Sequence, residues 1–134
     1  MVGYSGTPLW KKLGINQGNR VAFPSAPDGF LGLLGELPEG VTVKSRASGP
    51  LDVIVFFSKS RADLERRLPA LRGAMDPAAG LWIAWPKLSS GVETDLTENV
   101  TRELGFANRL VDNKVCAIDD TWSGLRFVIR LEDR

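Results

Sequence analysis

The sequence predicts a three-layer α/β domain with a mostly parallel sheet. Three observations predict it. Two runs, "LDVIVFF" (Leu51–Phe57) and "LWIAWP" (Leu81–Pro86), are continuously apolar, as strands buried on both faces are. Helical patterns alternate with strand patterns through the middle of the chain. The end reads "KVCAI", "DDTWSG", "LRFVIRL", which is two strands and a tight connection.

Each element has its own warrant. Thr7 and Pro8 read as N-cap and first residue of a short helix in "LWKKLG", which Gly14 closes. "RVAF" (Arg20–Phe23) is a short strand with Val21 and Phe23 on one face. Asp28 reads as the cap of a helix through "GFLGLLGEL", weakened by three glycines at about 1 kcal/mol each. "VTVKSR" (Val41–Arg46) alternates like a half-buried strand. Ser60 and Asp63 approximate a capping box for "SRADLERRLPALRGAM", with Pro69 expected to kink or split that helix. "DPAAG" reads as a turn. Thr94 is the expected cap of "DLTENVTRELG", with Gly105 at its end and a further helical turn possible in "FANRLV". The order is α-β-α-β-β-α-β-α-β-β.

Bulk properties narrow the function. A length of 134 residues suggests a single domain, residues 1–134, with 1–19 as helix and lead-in. A net charge of +1 gives no electrostatic case for nucleic acid, and the basic helix face at Arg61, Arg66, Arg67 and Arg72 reads as solvated. The longest apolar runs fall far short of a membrane span, and the first residues do not resemble a signal peptide. One cysteine, Cys116, permits no internal disulfide, so a cytoplasmic location is expected. Cys116 itself reads as a small buried hydrophobe. With no histidine, a Ser-His-Asp triad, a Cys-His pair and a histidine metal ligand are all excluded; no metal site is expected.

Two resemblances carry further. "LERRLPALRGAMDPAAGLWIAW", "LDVIVFF" before it and the closing "KVCAIDDTWSGLRFVIR" resemble the later strands and helices of the S-adenosylmethionine-dependent methyltransferase fold, which is Rossmann-like. The resemblance spans roughly residues 20 to 131. It implies a cofactor loop after the first strand and an acidic residue at the end of the second. The whole chain, through "GYSGTPLWKKLGI", "APDGF", "GPLDVIVFF", "LWIAWPK" and "LVDNKVCAIDDTWSGLRFVIRL", also resembles a family of small bacterial proteins known as a domain of unknown function. That family implies no activity.

The chain departs from the methyltransferase pattern at its cofactor positions. The loop reads Pro24-Ser25-Ala26-Pro27-Asp28-Gly29, with a single glycine and two prolines that remove donors. The second strand ends in Lys44-Ser45-Arg46. One strand-helix unit is missing between residues 46 and 51. No cofactor is therefore expected, S-adenosylmethionine included.

In an open parallel sheet, ligands bind outside the strand carboxyl ends. The candidate ligand-binding residues there are Ser25, Asp28, Arg46, Ser58, Lys59 and Lys87, a basic rim suited to a small anion; the bland reading is a solvated rim with helix caps. No catalytic residue is assigned. Asp119 and Asp120 read as turn residues. Trp82 and Trp85 should face opposite sides of the sheet, Trp85 nearer the rim. Trp122, placed in the turn, reads as exposed and as a possible contact surface. The sequence thus reads as a non-catalytic binding or regulatory module with a degenerate cofactor site, its partner a small anionic ligand or a protein. The alternative is an enzyme using a nucleotide-like cofactor in a divergent pocket.

Overall fold

The computed structural model describes residues 6–134; Gly3, Tyr4 and Ser5 of the N-terminal motif lie outside them. Six strands form one sheet: β1 (Arg20–Ala22), β2 (Thr42–Lys44), β3 (Leu51–Phe57), β4 (Met75–Pro86), β5 (Leu110–Ala117) and β6 (Trp122–Ile129). Their order is β2-β1-β3-β4-β6-β5. The first four run parallel, and β6 is antiparallel to both β4 and β5. This is the Rossmann-like, mostly parallel α/β sheet with a closing hairpin that the sequence predicts.

Both faces of β3 are buried, and alternation divides its residues between two cores. Val53, Val55 and Phe57 join Trp82, Leu13 and Phe30 on one face. Ile54 and Phe56 join Leu64, Leu68, Trp85 and Phe127 on the other. Trp82 and Trp85 do face opposite sides. Helices α1 (Leu9–Lys12) and α2 (Phe30–Leu34) cover the first face; α3 (Arg61–Gly73) and α4 (Glu98–Ala107) cover the second. The Trp82 indole fastens α1 to the sheet by donating to the Leu13 carbonyl at 2.9 Å.

β2 and β3 lie on either side of β1, so they do not pair with each other. Residues 45–50 join them without a helix. That link must cross about two strand spacings, roughly 10 Å, and return to the strand starts. An extended stretch of this length spans it because β2 is so short.

Several local expectations are corrected. Pro8 occupies the cap of α1, which begins at Leu9. Asp28 does not cap α2: Gly29 holds that position at φ 85°, a left-handed value that suits glycine, and makes no side-chain cap bond. Thr97, not Thr94, caps α4, its hydroxyl accepting from the Val100 N–H at 3.1 Å. Ser60 does cap α3, accepting from the Asp63 N–H at 3.2 Å. Pro69 lies inside α3 without splitting it. It replaces one internal N–H on an exposed face while Leu64, Leu68 and Leu71 stay buried, so packing outweighs the lost bond. The "DPAAG" turn is instead the start of β4, drawn into the ladder as Met75 pairs with Leu51. Gly105 lies within α4 rather than ending it; glycine is needed there because the Phe127 ring passes where a Cβ would stand. Phe106 and Ala107 extend that helix, and Leu110 already belongs to β5.

Candidate functional site

The chain reverses its direction of sheet growth between β1 and β3, which is where an open α/β sheet leaves a crevice at its strand ends. Here the start of the loop after β1 stays beside the end of β3. The Phe57 N–H donates to the Pro24 carbonyl at 3.2 Å, tying the loop to the end of β3. Phe23, Phe30, Phe57 and Trp122 then form an edge-to-face series with centroid spacings of 5.1, 4.9 and 5.1 Å. Edge-on geometry places ring hydrogens against neighbouring π-faces. Phe30 and Phe57 are each only 2% exposed.

Trp122 is therefore corrected. It is buried as the first residue of β6, not exposed in the turn. The turn is made by Asp119, whose Oδ1 accepts from the Thr121 and Trp122 N–H groups at 2.8 and 2.7 Å. That confirms Asp119 as a turn residue and removes the motive for a contact surface at Trp122.

The predicted rim residues separate into three groups. Ser25 and Asp28 are exposed on the loop after β1, Ser25 at a left-handed φ of 61°. Arg46 is exposed beyond β2, beside a shallow 340 Å³ hollow made by its own strand. Ser58, Lys59 and Lys87 follow the ends of β3 and β4, which lie side by side with Phe57 opposite Ala84. Ser58 is buried and its hydroxyl is engaged, donating toward the Ser60 carbonyl at 3.1 Å. Lys59 is exposed, and Lys87 is half-buried with its N–H bound to the Thr121 carbonyl at 2.7 Å.

The loop at residues 93–95 alters the charge of this rim. The Thr94 hydroxyl donates to the Lys59 carbonyl at 2.6 Å, and Asp95 Oδ1 accepts from the Arg61 N–H at 2.7 Å. A carboxylate of the chain itself thus occupies the start of α3, where a helix dipole would otherwise attract an external anion. Lys59 shares a 410 Å³ hollow with Glu93 and Asp95.

A larger cavity of 490 Å³ lies between the end of β4 and the start of α4. Trp85, Leu88, Val92 and Leu96 give it apolar walls, and Glu93 and Glu98 lie on its lining. Glu98 is held by Arg102 at 2.6 Å. Trp85 is 6% exposed at the inner end of this cavity. Sequence reasoning placed Trp85 near the rim but missed the rest. The available signal was "GVETDL", an acidic stretch set directly between a buried strand and a helix.

No family model matches the chain, and no curated protein matches it. Solved structures do. A SAM-dependent methyltransferase from Aquifex aeolicus aligns with TM-score 0.67 and 14% identity over 91% of this chain and 88% of its own. Magnesium protoporphyrin IX methyltransferase (ChlM) from Synechocystis PCC 6803 with bound SAH gives 0.60 and 10% over 91% and 78%. A TehB-like SAM-dependent methyltransferase from Corynebacterium glutamicum gives 0.59 and 11% over 91% and 85%. At such identities the likeness is one of fold: the chain has a reduced methyltransferase-like architecture. Among the described residues, no helix is long and apolar enough to cross a membrane.

Proposed function

We propose that this chain is a non-catalytic binding or regulatory module on a methyltransferase-like scaffold. The observation that supports the reading is the ring cluster beside the crevice: Phe23, Phe30 and Phe57 pack edge-on there, and the Phe57 N–H keeps Pro24 paired with the end of β3. A loop holding a cofactor presents free backbone donors and room for close approach. This one presents two prolines and packed rings. The basic end of β2, Lys44 to Arg46, further supports the reading, because ribose hydroxyls are held by an acceptor there in the fold the chain resembles.

Ligand binding then belongs to the cavity beside Trp85. Its apolar walls, with Glu93 on the lining and Glu98 already bound to Arg102, suit a compact apolar ligand carrying an amine. The small-anion reading rests on Lys59 and Lys87, and Glu93 and Asp95 stand against it. A thermal-shift screen of nucleotides, sugar phosphates and apolar amines tests this, run on the wild type and on Leu88→Arg. Leu88 is 98% exposed, so the variant folds. Apolar or amine hits should be lost in Leu88→Arg. Hits restricted to anions, lost instead in Lys59→Ala, would move the site back to the rim.

The alternative is an enzyme with a nucleotide-like cofactor. The methyltransferase neighbours, one with SAH bound, favour it. It requires the loop after β1 to hold a cofactor despite its two prolines.

A further inference from the structure

On the face covered by α1, far from the strand carboxyl ends, three cations converge. Lys114 of β5 stands directly opposite Arg126 of β6. Like charges in that register destabilise a sheet. Lys114 also reaches α1, its Nζ donating to the Lys12 carbonyl at 3.4 Å. Lys12, Lys114 and Arg126 line a common 250 Å³ hollow with Asn113 and the backbone of Gly14. None of the three has a carboxylate partner among the described residues.

Arg126 is the most constrained of them. Its guanidinium lies flat over Gly80, where a Cβ would come within 2.6 to 2.8 Å of Nε, Nη2 and Cζ. Gly80 therefore makes room for the guanidinium. One hydrogen bond holds it, from Nη1 to Asn113 Oδ1 at 3.2 Å. That bond turns the Asn113 amide so that its NH2 remains available to donate. Burial pushes the Arg126 guanidinium below its ordinary range, and the charge of Arg134 adds to the effect. An isolated, partly desolvated cation facing another is costly unless something pairs with it. The fields of Lys114 and Lys12 also reach the nearby Cys116 thiol, opposing the burial that pushes it up.

We propose that this hollow is a binding site for a compact oxyanion of the phosphate class, held by Arg126, Lys114, Lys12 and the Asn113 amide. A tetrahedral oxyanion offers acceptors to the guanidinium fork and both ammonium groups at once. It also cancels the repulsion built into the Lys114–Arg126 pair. The hollow has room for a phosphate or the phosphate end of a small monoester.

The test is thermal unfolding in inorganic phosphate against chloride at matched ionic strength, so that general screening cancels. At tenfold over Kd, phosphate should raise Tm by roughly 5 °C. Lys114→Glu places an opposite charge across from Arg126. It should raise Tm in chloride and abolish the phosphate response. Lys114→Gln should abolish the response without supplying an ion pair. A wild type that responds equally to phosphate and chloride overturns the proposal, as does a phosphate response that survives both substitutions.

Discussion

Replacing Phe30 with alanine removes an inner ring of the Phe23–Phe30–Phe57–Trp122 series. Phe30 is 2% exposed and meets Phe23 and Phe57 edge-on at 5.1 and 4.9 Å. Truncating a buried Phe to Ala costs about 3–5 kcal/mol, including the cavity left behind. The loop above Phe30 can partly collapse into that space, so the lower end, about 3 kcal/mol, is expected. Unfolding entropy is about 2.1 cal/mol/K per residue. For 134 residues that gives about 0.28 kcal/mol/K and a fall in Tm of about 11 °C. Urea denaturation at pH 7 checks the figure independently. With a slope of about 1.5 kcal/mol/M, the midpoint should fall by about 2 M. A loss below about 1 kcal/mol, with the slope unchanged, would refute the reasoning. It would mean that the ring series contributes little to holding α2 and its loop on the sheet.

Trp82→Phe removes the donor to the buried Leu13 carbonyl and should cost about 1–3 kcal/mol for the unpaired group, with faster amide exchange confined to residues 9–15; unchanged exchange there would contradict the role of Trp82 in holding α1. Gly105→Ala drives a methyl into the Phe127 ring, and a loss of about 1–3 kcal/mol is expected in chemical denaturation. Asp52 is held below the usual carboxylate range, chiefly by the Arg20 guanidinium, which binds it through Nε and Nη2 at 2.9 Å each. A depressed folded value means that Asp52 stabilises above its unfolded pKa of about 3.9 and loses that contribution as pH falls further. The Tm gap between wild type and Asp52→Asn should therefore be constant near neutrality and shrink below about pH 4. A gap that does not change with pH would rule the ion pair out as its source.

Wherever local chemistry decided the structure, the sequence was readable. The unbroken apolar runs of β3 and β4 could only be strands covered on both faces, and Ser60 could be recognised as a cap from its spacing to Asp63. Thr94 and Thr97 each precede an acidic residue in a helical pattern. Only the contact of Thr94 with the Lys59 carbonyl, which ties its loop to the segment before α3, decides between them. Trp122 misled because Asp119 completes the turn earlier than the string "DDTWSG" suggests. The six rim residues were read from strand ends alone, so their charges were counted without the loop carrying Glu93 and Asp95. The Lys12, Lys114 and Arg126 cluster depends on register between β5 and β6 and on where α1 docks, neither of which leaves a local trace.

The central claim is that the scaffold is kept without a working cofactor loop. Isothermal titration calorimetry with S-adenosylmethionine and its demethylated product tests it most directly. The account predicts no saturable heat for either compound up to millimolar concentration. Saturable one-to-one binding of either compound would contradict it and favour the enzyme reading in its place.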